Sequence, residues 1–145
     1  MRQVYIGRDH DGPLQIQADV VVVGSGAGGS VIAAHLAEAG QRVVVLEEGG
    51  YVSSKEHADM RPSQSLRHVW REAGLTMAVG LGETPMINVM MGRCVGGSST
   101  LTGGVCFRIP EKVLQEWKQK HGLTDFTPKK LEPYYKEVEA NVHVE

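Results

Sequence analysis

The chain has 145 residues, enough for one domain, and its 41% hydrophobic and 22% charged residues suit a globular protein. Fifteen Lys+Arg against seventeen Asp+Glu leave a net charge of −2, which argues against a nucleic-acid binder or a polybasic membrane anchor. No apolar run approaches the length of a membrane span, and Met1 to Gly12 has no signal-peptide core, so the expected location is cytoplasmic with no membrane segment. Two cysteines, Cys94 and Cys106, are too few for a disulfide scaffold or a thiolate zinc site. Glycine is the outlier: 18 residues, half of them in two runs at 24–29 and 92–104. Clustered glycine marks backbone that must approach something closely.

In chain order, residues 1–17 read as an N-terminal extension with a turn at Gly12-Pro13. Ala18 to Val23 is an apolar, valine-rich run broken only by Asp19, and reads as a strand buried on both faces. Gly24 to Gly29 is the first glycine run. Ser30 to Ala39 has helical spacing and is closed by Gly40 as a left-handed cap. Arg42 to Leu46 is a second strand ending at Glu47. Strand, glycine turn, helix and strand make a right-handed βαβ unit over 18–47, with parallel strands.

Gly49-Gly50 and Ser53-Ser54 read as a loop. Leu66, Val69, Trp70 and Ala73 predict a helix over 63–73, after Pro62 and before Gly74. Residues 75–84 carry no clear signal, and Met86 to Met91 reads as a short strand. Pro110 opens a helix through His121 with Val113, Leu114 and Trp117 on one face, ended by Gly122. Thr127-Pro128 caps a last helix carrying Tyr134, Tyr135 and Val138, with a restart at Pro133.

The run GSGAGG satisfies G-x-G-x-x-G at Gly24, Gly26 and Gly29. Its setting, after a strand and opening a helix, is the one a dinucleotide requires. Gly24 permits the tight turn, Gly26 leaves the backbone bare for a pyrophosphate, and Gly29 lets helix and strand pack closely. The helix N-terminus favours the phosphate charge. Glu47 accepts from a ribose hydroxyl and repels a 2′-phosphate, favouring NAD or FAD over NADP. Strand alternation points Glu48 the other way, towards solvent or the following loop.

The second run, GRCVGGSSTLTGG, precedes VCFRIP and supplies bare backbone with clustered hydroxyls, suited to lie against a flat cofactor. Together, DVVVVGSGAGG…VVVLEEGG and GRCVGGSSTLTGGVCFRIP resemble the N-terminal part of the glucose–methanol–choline (GMC) oxidoreductases, flavoenzymes that use FAD to oxidise alcohols. The resemblance runs from about Ala18 to Val142 and includes PEKVLQEWKQKHGL and LEPYYKEVE.

The resemblance implies that Gly24, Ser25, Gly26, Gly28 and Gly29 cradle the FAD pyrophosphate, with Glu47 on the adenosine ribose. It implies that Arg93, Gly96, Gly97, Ser98 and Ser99 line the flavin side, and that Thr102, Gly103, Gly104 and Val105 run beside the isoalloxazine ring. Thr102 stands where the family usually has Asn or His, and Cys106 where it often has an aromatic residue. Met90 and Met91 occupy positions where some members attach flavin through a histidine, so the FAD is expected to be non-covalent.

The expected fold is α/β: a Rossmann-like FAD-binding βαβ unit with additional helices in an incomplete doubly wound domain. Residues 18–109 form the FAD-binding region, with the second flavin motif at 92–108, and 110–145 lead towards the substrate-side region. The family's catalytic pair lies far towards the C-terminus of much longer chains. This chain is therefore expected to be the N-terminal fragment of an FAD-dependent enzyme acting on the CH–OH group of a small-molecule alcohol. Alone it should bind FAD weakly or not at all and turn over no alcohol, needing a C-terminal region in cis or trans. The alternatives are a non-catalytic nucleotide-binding remnant or a subunit that needs a partner chain, or an NAD-dependent dehydrogenase, which leaves the second run idle. None of the six histidines has a partner at metal or triad spacing, so no catalytic or metal-binding residue is assigned.

Overall fold

A computed structural model describes residues 3–102 and 104–144, which divide into two compact units, Met1–Thr102 and Gly103–Glu145. The first unit is built on β1 (Val20–Val23), α1 (Ala27–Glu38) and β2 (Val43–Leu46). The two strands pair in parallel, with Val20 opposite Val43 and Val23 opposite Leu46. Asp19, the polar interruption in the first apolar run, has a defined task here. Its carboxylate accepts from Arg42 Nη2 at 2.6 Å and Nε at 3.0 Å, clamping the start of the strand pair. These hydrogen bonds from Arg42 hold its pKa down at about 2.

β1 is not buried on both faces. Val20 and Val22 are half-buried, whereas Val21 is 56% and Val23 83% exposed. Packing of α1 explains the half-buried face; among the described residues nothing covers the other face of β1 comparably. α1 also begins three residues before the helical spacing suggested, inside the glycine run. Glycine disfavours helix by about 1 kcal/mol per residue, so close packing, not propensity, sets this start. Gly40, at φ +85°, ends the helix in the left-handed conformation expected of it.

Two short helices replace the simpler middle region read from sequence. α2 (Ser54–Asp59) occupies part of the expected loop. A reciprocal cap starts it: Glu56 N–H donates to Ser53 Oγ at 3.2 Å, and Ser53 N–H to Glu56 Oε2 at 2.8 Å. α3 (Pro62–Val69) ends four residues sooner than its apolar spacing implied. The competing interaction is a bridge to the second glycine run. Trp70 pairs antiparallel with Gly92, Arg93 N–H donates to Val69 O at 2.7 Å, and Arg71 N–H to Met91 O at 2.8 Å. The chain then turns through three left-handed residues, Glu72 (φ 47°), Ala73 (φ 53°) and Gly74 (φ 77°). β3 (Met77–Ala78) pairs antiparallel with β4 (Ile87–Asn88), shortening the strand expected over 86–91. Ala33, Val69 and Cys94 are the buried apolar residues of this unit.

In the second unit α4 (Glu111–His121) runs from Pro110 to Gly122, which takes φ +67°. Leu114 is buried, with Val113 and Trp117 half-buried on the same face. Trp117 meets Phe126 edge-on at 6.0 Å. α5 (Pro128–Asn141) is capped by Thr127 Oγ1, which accepts from Lys130 N–H at 3.3 Å. It continues through Pro133 rather than restarting there. Arg108 binds Glu132 at 2.8 Å and Glu139 at 2.6 Å, one on each side of the proline, tying both halves of α5 together along one face. No helix among the described residues is long and apolar enough to cross a membrane.

Candidate functional site

The first glycine run turns the chain from β1 into α1 through conformations and contacts that side chains would obstruct. Gly24 has φ +89°, and its N–H donates to Leu46 O at 2.7 Å, hooking the turn onto β2. A Cβ on Gly29 would lie 2.0 Å from Gly24 O, so only glycine lets the helix approach the strand. Gly26 differs: a Cβ there would meet nothing within 4 Å, because this position borders open space. No side chain caps α1 at Gly26. The N–H groups of its first turn therefore have no partner within the helix, and an anion placed there would supply one.

Glu47 lies where β2 ends, and its carboxylate is already engaged. Oε2 accepts from Ser25 N–H at 2.9 Å and Ser25 Oγ at 2.7 Å, while Oε1 accepts from Gly49 N–H at 2.9 Å. Burial alone would raise its pKa. The hydrogen bonds from Ser25 and Gly49, helped by the charge of Arg71, outweigh that and hold it below the ordinary value. Ser25 is buried, and its hydroxyl also accepts from Gly96 N–H at 2.9 Å.

That last bond joins the two glycine runs. Gly96 (φ 92°) and Gly97 (φ 59°) lead into a single 3₁₀ turn, Gly97–Thr100. A Cβ on Gly97 would stand 3.0 Å from Gly26 Cα, one on Gly92 2.6 Å from the Gly97 carbonyl carbon, and one on Gly49 2.2 Å from that of Arg93. Backbone packs directly on backbone along this line. Gly92 N–H donates to Ser98 Oγ at 2.9 Å, and Gly50 bridges Cys94 in parallel. Burial, with the nearby Glu47 charge, pushes the Cys94 thiol up, and it stays protonated at neutral pH. A cleft of about 390 Å³ opens between the runs, with Val23 and Leu46 as apolar wall and Gly24, Gly26, Glu47, Glu48, Gly92, Gly97 and Ser98 around it.

Of the residues expected at a cofactor, Gly24, Gly26, Glu47, Gly97 and Ser98 thus line one cleft. Ser25, Gly29 and Gly96 hold its walls together, and Gly28 borders open space. Ser99 Oγ donates to Gly96 O at 2.6 Å and Thr102 Oγ1 to Ser99 O at 3.2 Å, so both brace the second run internally. Arg93 is exposed and contributes its backbone to the bridge with Val69. Gly104 and Val105 belong to the second unit, where Val105 is 70% exposed; Gly103 lies outside the described residues.

Glu48, expected to face solvent or the following loop, is exposed. It lines the cleft and forms an ion pair with Arg71. Strand alternation does not apply to it, because β2 ends at Leu46. Arg71 had no usable signal in the sequence, since its place depends on the distant pairing of Trp70 with Gly92 and on its own N–H bond to Met91 O.

The family model described as GMC oxidoreductase matches residues 18–145. An uncharacterised GMC-type oxidoreductase of Sinorhizobium fredii is 39% identical over 130 residues, covering 90% of this chain and 25% of that protein. A long-chain-alcohol oxidase of Arabidopsis thaliana is 36% identical over 129 residues, covering 88% of this chain and 16% of the relative. Among solved structures, pyridoxine 4-oxidase from Mesorbium loti superposes with a TM-score of 0.61 at 25% identity, over 81% of this chain and 24% of that one. The chain therefore spans a quarter or less of the length of these relatives.

Proposed function

The chain belongs to the GMC oxidoreductase family, whose members are flavoproteins, and from that premise we propose that residues 18–109 bind FAD non-covalently within an enzyme that oxidises the CH–OH group of an alcohol. The observation that carries this reading is the meeting of the two glycine runs at one cleft. An NAD reading leaves the second run without a task.

The residues fit the group. Bare backbone at Gly26 and the uncapped start of α1 suit the pyrophosphate. Glu47 uses three of its roughly four acceptor positions internally, leaving one on Oε1 for a ribose hydroxyl. Gly97 and Ser98 face the same cleft and would support the flavin side. Met90 and Met91 offer no nucleophilic nitrogen for attachment. Bound FAD supplies a hydride acceptor for the carbon that carries the hydroxyl.

The hydroxyl proton needs a separate base, worth about 10²–10⁴-fold. Among the described residues no histidine lines the cleft. Alcohol turnover therefore depends on a base from sequence other than these residues, supplied in cis or by a separate chain. The alcohols named for the relatives, a long-chain alcohol and pyridoxine, both carry a CH–OH group, and that group is the substrate class proposed here.

The test is titration of the chain with FAD and, separately, NAD⁺, followed by flavin fluorescence and ligand-observed NMR up to millimolar concentration. FAD should bind, weakly, and should not be displaced by NAD⁺. Displacement of FAD by equimolar NAD⁺, or NAD⁺ binding alone, would overturn the assignment.

A further inference from the structure

We infer that Ser25 is a positioning residue whose hydroxyl, oriented by Glu47, latches the second glycine run onto the first and presets the distance between the two halves of the cofactor site. The inference rests on the FAD reading for its purpose, but not for its geometry.

A serine hydroxyl has one proton to donate and accepts through its oxygen. Ser25 donates that proton to Glu47 Oε2 at 2.7 Å, and its oxygen accepts from Gly96 N–H at 2.9 Å. The donor is committed to a carboxylate, so the oxygen is left to face Gly96 as an acceptor. A charged acceptor also strengthens the hydroxyl's own acceptor capacity through polarisation. Ser25 and Gly96 are 71 positions apart, with several elements between them. Gly96 sits at φ 92°, its N–H on Ser25 Oγ and its carbonyl accepting from Ser99 Oγ.

The same carboxylate holds Gly49, which packs against the Arg93 carbonyl. Glu47 therefore organises three segments before any ligand arrives: the glycine turn, the loop after β2 and, through Ser25, the second run. A ligand bridging both runs gains from this arrangement because its site needs no ordering on binding. A ligand that touches only the first run gains little.

The 145-residue chain, its Ser25→Ala variant and its Glu47→Gln variant provide the test. In the ligand-free protein, amide exchange at Gly96 should be faster in both variants than in the parent, while exchange in the core of α1 stays unchanged. Nucleotide binding separates the latch from direct phosphate contact. Ser25→Ala should weaken FAD by about 10-fold, the loss of one good hydrogen bond, and weaken ADP by less, since ADP carries no flavin for the second run to hold. Unchanged exchange at Gly96 in Ser25→Ala, or an ADP loss equal to the FAD loss, would overturn the latch. If the isolated chain binds neither nucleotide, the Gly96 exchange in the two variants alone decides the latch. Should Ser25→Ala not fold, Glu47→Gln carries the same exchange criterion.

Discussion

Gly26 and Gly29 stand three residues apart in one motif and do opposite things. Gly29→Ala would place a methyl 2.0 Å from Gly24 O, a clash with backbone that must move. It should destabilise the chain by at least about 1–3 kcal/mol, read as a lower urea midpoint. Gly26→Ala meets no neighbour within 4 Å and has an ordinary φ of −65°, so its urea midpoint should match the parent's while nucleotide binding falls. Equal midpoints for both variants would contradict this division of labour. Glu47 adds a pH dependence of defined sign. Its pKa is lower in the folded chain than the ordinary 4.5, so its contribution is present above that value and is lost as pH falls through the lowered one. Between pH 7 and 3 the parent should lose more stability than Glu47→Gln, which cannot titrate there. A difference that stays constant with pH would show that the carboxylate's charge is irrelevant.

At the scale of elements, α2 and α3 show local and tertiary signals in competition. The S-x-x-E pattern Ser53 to Glu56 was present in the sequence and marks the start of α2. Ser53→Ala should cost about 1 kcal/mol locally, read as faster amide exchange within α2. In α3 the apolar spacing continues to Ala73, yet the helix yields at Val69 to the bridge between Trp70 and Gly92. The turn that results puts two non-glycine residues, Glu72 and Ala73, into the left-handed region. Each costs about 1–2 kcal/mol relative to right-handed backbone. Ala73→Gly should relieve most of that, less the entropy glycine gains when unfolded, for a net stabilisation near 0.5–1 kcal/mol. A lower melting temperature for this variant would mean that the turn is not left-handed in solution.

For the molecule as a whole, the exposed face of the β1–β2 pair is the dominant feature. Val21, Val23 and Leu46 on that face are 52–83% exposed, and Val31 and Ile32 on α1 are 49%. Parallel pairs are normally covered on both faces, and apolar surface of this kind associates or is covered. The 145-residue chain should bind an apolar fluorescent dye more strongly than a fully packed domain of its size. It should also turn over no primary or secondary alcohol with FAD and an artificial electron acceptor. Turnover at an ordinary enzymatic rate would require a base among its own histidines and would overturn the dependence on further sequence.

The sequence alone determined the βαβ unit, its parallel pairing, the left-handed cap at Gly40, the helix from Pro110 to its stop at Gly122, and the family. All of these rest on short-range requirements: a β-branched run, a glycine where φ must be positive, a proline at a helix start, and two motifs in order. Tertiary structure decided where α3 stops, that β1 is covered on one face only, and that α5 passes through Pro133 under the hold of Arg108. It decided most at the cleft. Glu47 was readable as an acceptor at the end of a strand, but its engagement with Ser25 and Gly49, the pairing of Glu48 with Arg71, and the bond from Gly96 to Ser25 were not. Those contacts join residues 22, 23 or 71 positions apart, or lie beyond a strand end where periodicity no longer constrains direction. A hydrogen bond between distant residues leaves no periodic trace in a single chain, because each partner's identity suits many other local roles equally well.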